Sequence, residues 1–340
     1  MTTIQYSWHA DAWRLARAGI ARGAHALLLA GAKGLGKRAL AIRLAESYLC
    51  GSRGDQGQAC GSCESCRWLA AGTHPDFALV EPLQDEENSD NTLAQGASAR
   101  TRPISVDQVR QLGGLLALTG YREAGRVLVI HPAENMNAAA ANALLKSLEE
   151  PPARTLFLLV THRPALLPPT VRSRCQVVLV KLEDRDSAEA WLRRQGIEDA
   201  ADQLALCGGA PLEAVAVVSD PAWGRRRDFL SALCAEETDG VALAARFREL
   251  APGIILSWLQ KWTFDLLALR FCARARYHQD LNTIAANLAS TVDPASLARL
   301  HRRLLAMQKH VHHPLNPRLL IEQMLIDCRQ VLVRSKGHIG

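Results

Sequence analysis

The stretch Gly31-Ala-Lys-Gly-Leu-Gly-Lys-Arg38 decides how the first half of the chain is read. It follows the apolar run Ala26-Leu-Leu-Leu-Ala30 and opens a helical pattern over 39–48. Strand, glycine-rich loop and helix in that order are the context of a phosphate-binding loop, whose template is Gly, four residues, Gly, Lys, then Ser or Thr. Gly31, Gly36 and Lys37 satisfy it, with Gly34 inside the loop, and Arg38 departs from it. Backbone N–H groups and a lysine at a helix N-terminus still suit phosphate. A guanidinium cannot ligate Mg²⁺ where the template places a hydroxyl. The loop has lost its metal-holding residue, and whether it retains ATP stays open at this point, as does a plain glycine-rich turn with no ligand.

Working outward, 340 residues suffice for two or three domains with real cores. The first twenty residues carry Asp11, Arg14 and Arg17 with no apolar core, unlike a signal peptide. No run approaches the roughly 18 apolar residues of a membrane helix. A soluble, cytoplasmic protein with no membrane partner is expected. A net charge of +6 is compatible with nucleic acid nearby without demonstrating it. Nine cysteines in such a chain point to metal or core positions, not disulfides.

Four of them lie together. Cys50 is followed after nine residues by Cys60-Gly-Ser-Cys63-Glu-Ser-Cys66. Four thiolates are what a tetrahedral zinc site takes, and with no open position the ion would be structural. Redox use of a Cys-x-x-Cys pair is the alternative. With the site full, His74 reads as a turn or capping residue ahead of a strand over 77–80. The polar, acidic stretch 83–102 reads as a mobile surface loop. A helix over 105–118 follows, with a Ser105/Gln108 capping box, a Val106, Val109, Leu112, Leu116 stripe, and Gly120 ending it.

The strand over 126–130 ends at His131-Pro132, where a P-loop ATPase keeps the acidic residues that help hold Mg²⁺ and polarise water. Glu134, the nearest carboxylate in the sequence, lies in the turn beyond. Asn137 can cap a helix over 138–150 that Pro151-Pro152 stops. Strands over 155–160 and 176–180 complete a pattern of alternating strands and helices. Such a pattern gives a doubly wound parallel sheet with its crevice at the strands' carboxyl ends.

Asn142-Ala-Leu-Leu-Lys-Ser-Leu-Glu-Glu-Pro-Pro152, followed by Ser173-Arg174-Cys175, resembles the clamp-loader branch of the AAA+ ATPases. The four-cysteine knuckle strengthens the likeness to the bacterial replicative clamp loader. The resemblance covers residues 8–180. It implies that Arg174 is an arginine finger acting in trans on a neighbour's nucleotide site and that Thr161 lies at the first sensor position. It further implies a hetero-pentamer with motor (gamma/tau-type) and delta-type subunits that places a sliding clamp on primed DNA. With both the loop and the acidic pair damaged, this chain would be a non-hydrolysing assembly subunit. The rival readings are an active motor subunit, which needs Ser or Thr at 38 and acids at 131 and 132, and a zinc-knuckle nucleic-acid-binding regulator. The second would need aromatic or basic platforms that Arg53, Arg67 and Trp68 barely supply.

The remainder reads as helical. A cap of Asp186 with Glu189 opens a helix through 194, Gly196 closes it, and helices over 200–206 and 212–218 follow. Pro211, Leu212 and Glu213 stand where active relatives of the family keep a sensor arginine. Later helices are expected over 229–234, 241–250, 254–275, 281–288, 296–307 and 317–333. Arg225, Arg226, Arg227, Arg299, Arg302 and Arg303 read as solvated helix faces. The expected organisation is α/β then all-α: an AAA+ P-loop domain with a zinc knuckle (1–182), a small helical lid (183–222) and a C-terminal helical collar (223–340).

Overall fold

A computed structural model describes residues 6–83, 102–117, 125–235, 239–272, 274–308, 311 and 316–332. The chain divides into two compact units at Ala188 and Glu189. The expected lid and collar segments fall almost wholly in the second. Most of the loop expected over 83–102, the helix end at Gly120 and Val333 lie outside the described residues.

The first unit is an α/β layer structure. Its strands β1 (Ala26–Ala30), β2 (Phe77–Val80), β3 (Arg126–Ile130), β4 (Thr155–Thr161) and β5 (Gln176–Leu179) form one parallel sheet, ordered β2-β3-β4-β1-β5. Helices α1 (Ala10–Ala21) and α2 (Lys37–Leu49) lay Ala12, Ala16, Leu40 and Leu44 against one face, which presents Leu27, Leu29, Val129 and Leu158. After α3 (Glu64–Ala71), the other face is covered by α4 (Val106–Ala117), α5 (Ala138–Glu149) and α6 (Pro169–Arg172). Those helices bring Val109, Leu112, Leu144 and Val171 onto Leu28, Leu128, Phe157 and Leu159. Burial on both faces is why the central strands are continuous apolar runs without polar alternation.

Register fixes which residues share an edge. Ala30 pairs with Thr161 on one side and with Leu179 on the other. Val80 pairs with Ile130. Gly31, Glu81, His131 and Thr161 therefore collect at the carboxyl edge of the sheet. Arg174 precedes β5, whose first residue Gln176 pairs with Leu27, so it lies at the opposite, amino edge.

The second unit is all-helical among its described residues. Its elements are α7 (Arg185–Arg194, spanning the division), α8 (Ala200–Leu206), α9 (Pro211–Val218), α10 (Pro221–Gly224), α11 (Arg226–Cys234), α12 (Gly240–Arg246), α13 (Pro252–Cys272), α14 (Asn282–Thr291), α15 (Pro294–Met307) and α16 (Pro317–Leu332). Trp258 and Trp262 of α13 are fully buried at the centre, with α14, α15 and α16 packed around that helix. The buried Asp265 accepts N–H bonds from Arg276, Tyr277 and His278, which ties down the connection after α13.

The structure departs from three expectations. Asp184, not Asp186, caps α7 by accepting the Ser187 N–H, and Glu189 pairs with Arg193 instead. The helix expected over 241–250 stops at Arg246, because Phe247 and Leu250 reach the core from the turn beyond it. Arg226 is not on a solvated face. It is buried against Asp280 at 2.6 Å, whereas Arg303 remains exposed, as expected, while it meets Asp327 at 3.0 Å.

Candidate functional site

The loop after β1 is shaped by its glycines. A Cβ on Gly31 would stand 2.3 Å from the Val180 carbonyl oxygen, so only glycine fits between the two strands. Gly34 and Gly36 take left-handed backbone angles, φ 78° and 76°, that favour glycine. A Cβ on Gly36 would also strike the Tyr6 ring at 2.7 Å, because the segment 6–9 lies across the loop. There Tyr6 stacks on Trp8. Trp8 Nε1 and His9 Nε2 both donate to the Leu35 carbonyl, at 3.1 and 2.7 Å. Burial, with Arg43 and Lys37 nearby, lowers His9 to about 4 and keeps it neutral.

Lys37 and Arg38, the side chains that would meet a nucleotide, are both engaged within the chain. Lys37 is 2% exposed and donates to the Ala32 carbonyl at 2.6 Å. Burial lowers it to about 8, partly offset by the charge of Glu134. Arg38 donates from Nε and Nη2 to the two oxygens of Glu81 at 2.7 and 2.9 Å. His131 Nδ1 donates to the same carboxylate at 2.9 Å. Burial alone would raise the Glu81 carboxyl, but the His131 and Arg38 hydrogen bonds hold it down at about 2. The guanidinium thus provides a fixed positive charge among the residues that in a P-loop ATPase hold a metal ion. Sequence reasoning missed Glu81, although its position just past the parallel strand β2 marked it for the carboxyl edge. Glu134 accepts the His162 N–H at 2.8 Å. Thr161 is fully buried at the end of β4, and its Oγ1 accepts the Arg163 N–H.

Ser173-Arg174-Cys175 occupies the other edge. Cys175 is buried in the core, which pushes its thiol up to about 11. Arg174 is half-buried. Its Nη1 donates to the Thr170 carbonyl at 2.9 Å, and its Nη2 forms an ion pair with Glu149 at the end of α5.

The four cysteines do come together. Cys50 caps the C-terminus of α2 and Cys63 caps the N-terminus of α3, a helix that the sequence reading did not anticipate. All four Sγ atoms lie within 4.8 Å of one another, with Cys50–Cys63 at 3.9 Å and Cys60–Cys66 at 4.0 Å. Sulfurs at about 2.3 Å from a tetrahedral zinc would be about 3.8 Å apart, so the donor set fits that ion. Backbone N–H groups of Ser52 and Cys60 point at Cys50 Sγ, that of Cys63 at Cys60 Sγ, and that of Cys66 at Cys63 Sγ. Such donors offset thiolate charge. His74 stands outside this cluster as a turn residue: its Nδ1 accepts the Asp76 N–H, and its Nε2 donates to Ser65 Oγ, which donates to the Leu49 carbonyl.

Among the described residues no single helix is long and apolar enough to cross a membrane. The sequence matches the family described as DNA polymerase III, delta subunit, over residues 15–184, and its C-terminal counterpart over residues 220–330. It is 33% identical over 333 residues to DNA polymerase III subunit delta' of Pseudomonas aeruginosa, covering 95% of this chain and 96% of that one. It is 33% identical over 324 residues to the Escherichia coli subunit delta', covering 92% and 90%. A shorter match, 33% identical over 151 residues, reaches DNA polymerase III subunit tau of Salmonella typhimurium and covers 44% of this chain and 21% of tau.

Proposed function

The chain belongs to the DNA polymerase III delta' subunit family, and we propose that it is the non-hydrolysing assembly subunit of a clamp loader, whose Arg174 serves the nucleotide site of a neighbouring motor subunit. One observation carries this reading: Arg174 and the phosphate-binding loop lie at opposite edges of the same parallel sheet. Extending the β1–β5 register puts Arg174 level with residue 25, six positions before Gly31. At about 3.3 Å per residue that is roughly 20 Å along the strands. Arg174 therefore cannot reach its own loop, and a forked guanidinium on an outer edge suits a phosphate held by another subunit.

The chain's own nucleotide site supports the same division of labour. Lys37 is turned back onto the loop and Arg38 takes up Glu81, so hydrolysis by this chain would lack both a metal ligand and a water-activating carboxylate. A motor-subunit reading would require the residues that 38, 131 and 132 lack. In this proposal the partners are gamma/tau-type motor subunits, a delta-type subunit, the sliding clamp and primed DNA. Residues 183–222 form the lid and residues 223–340 the collar through which the subunits assemble. Zinc is the ion proposed for Cys50, Cys60, Cys63 and Cys66, where it would join the end of α2 to the start of α3.

The test is clamp placement on primed DNA by a reconstituted loader carrying Arg174→Ala in this chain alone. Loading should fall sharply while the complex still forms, and Arg174→Lys should restore little, because an ammonium cannot make the forked contact. Loading at the wild-type rate by Arg174→Ala would reduce this chain to a scaffold.

A further inference from the structure

We propose that Glu149 is an anionic placeholder for Arg174: it holds the guanidinium on its own chain until the terminal phosphate of a triphosphate on the neighbouring subunit displaces it. The inference rests on the trans-acting reading of Arg174. Both terminal nitrogens of that guanidinium are already used within the chain, Nη1 by the Thr170 carbonyl and Nη2 by Glu149. The arginine is docked against α5 instead of being extended into solvent. Among the described residues the Glu149 carboxylate has Arg174 as its only ion-pair partner. Its place as the last residue of α5, which ends ahead of Pro151-Pro152, sets it beside the segment that follows α6.

The two partners are built to part. Their side chains are 33% and 49% exposed, so water can solvate both when they separate. A pair of this exposure is weak, which makes exchange for another anion inexpensive. An incoming phosphate would meet the guanidinium and the like charge of Glu149 together. Full engagement therefore requires Nη2 to leave Glu149 and Nη1 to leave the Thr170 carbonyl, and the more highly charged terminal phosphate competes best for both. Once that phosphate leaves, the carboxylate is the nearest anion for Arg174 to return to. Glu149 acts through Arg174, as a positioning residue, and touches no substrate itself.

The test uses the full chain in a loader reconstituted with motor and delta-type subunits, and measures kcat/KM for ATP. Glu149→Gln keeps the shape and removes the charge. It should raise kcat/KM by about two- to fivefold at the one site Arg174 serves, the span that an exposed ion pair can supply, and the total by correspondingly less. Glu149→Asp keeps the charge and should stay at the wild-type value. The gap between wild type and Glu149→Gln should narrow at about 0.5 M salt, where exposed charges are screened. In an Arg174→Ala background Glu149→Gln should change nothing further. A fall with Glu149→Gln, no change, or a gain that persists without Arg174 each overturns the placeholder. If Arg174→Ala itself has wild-type kcat/KM, the trans-acting reading fails first; if only the Glu149 variants are silent, the placeholder alone fails.

Discussion

At the carboxyl edge of the sheet Arg38 grips both oxygens of Glu81, and His131 donates to the same carboxylate. At the amino edge Arg174 meets Glu149 through one nitrogen, with a backbone carbonyl as its other firm acceptor. The residue types are the same and the settings differ. The first pair is forked, cross-braced and joined to a loop whose lysine is buried. The second is single-handed and open to water. An arginine fixed in this way replaces a metal ion's charge but cannot follow a reaction. One held loosely on an outer edge can change partners. In the proposed reading the loop edge therefore serves as a structural joint, while the opposite edge keeps an arginine that can exchange partners.

If that contrast is right, perturbing what braces the fold should lower stability, and perturbing the amino-edge arginine should not. The largest effect is expected from the knuckle that joins α2 to α3. Metal analysis should find about one zinc per chain, and Cys63→Ser should lose it together with several kcal/mol of stability. A wild-type protein equally stable without metal would remove the knuckle from this account.

A second effect reads the carboxyl edge through pH. His9 is lowered to about 4 and His162 likewise, both mainly by burial. A histidine depressed below its ordinary 6.5 takes up protons more readily when unfolded. Its contribution is therefore complete above pH 6.5 and is lost as pH falls toward 4. For His9 that loss amounts to roughly 3 kcal/mol. Denaturant unfolding across this window should show the decline, and His9→Gln, which keeps a donor for Leu35, should flatten it. A wild-type stability curve level from pH 6.5 to 4 would contradict the neutral, buried placement of His9.

The smallest of the three concerns Arg38 itself. Its pair with Glu81 is partly solvated, so Arg38→Ala should cost about 1 kcal/mol. Glu81 is held at about 2, so its contribution is present above its ordinary 4.5 and lost as pH falls toward 2. The penalty of Arg38→Ala should accordingly shrink in acid. A penalty that is the same at both ends of that window would mean that packing, not charge, fixes Arg38.

Much of the carboxyl edge was legible because its determinants are local. Continuous apolar runs announced the parallel strands, and glycine spacing announced the loop. Four closely spaced cysteines announced their own cluster. Asn137 capped α5 as its sequence suggested, with its side chain accepting the Ala140 N–H. What stayed hidden depends on distant partners. Glu81 belongs to no motif and acquires its place only when β2 pairs with β3. Helix α3 was masked because Cys63 was read as a ligand and not also as an N-cap. The burial of Arg226 depends on Asp280, more than fifty residues later, and nothing local distinguishes it from the arginines on either side. The partner of Arg174 could not be read either, since Glu149 comes beside it only when α5 and α6 cover the same face.

The central claim is that this chain acts on a neighbour's nucleotide and not on its own. ATP hydrolysis by the reconstituted, DNA-stimulated loader tests it most directly, with Lys37→Ala and Arg174→Ala compared side by side in this chain. Arg174→Ala should leave thermal unfolding almost unchanged, as befits an exposed pair. It should nonetheless lower turnover at the one site it serves by about 10³-fold or more, so that total hydrolysis falls only in part. Lys37→Ala should leave turnover at the wild-type level. Total hydrolysis unchanged by Arg174→Ala and lowered by Lys37→Ala would contradict the account.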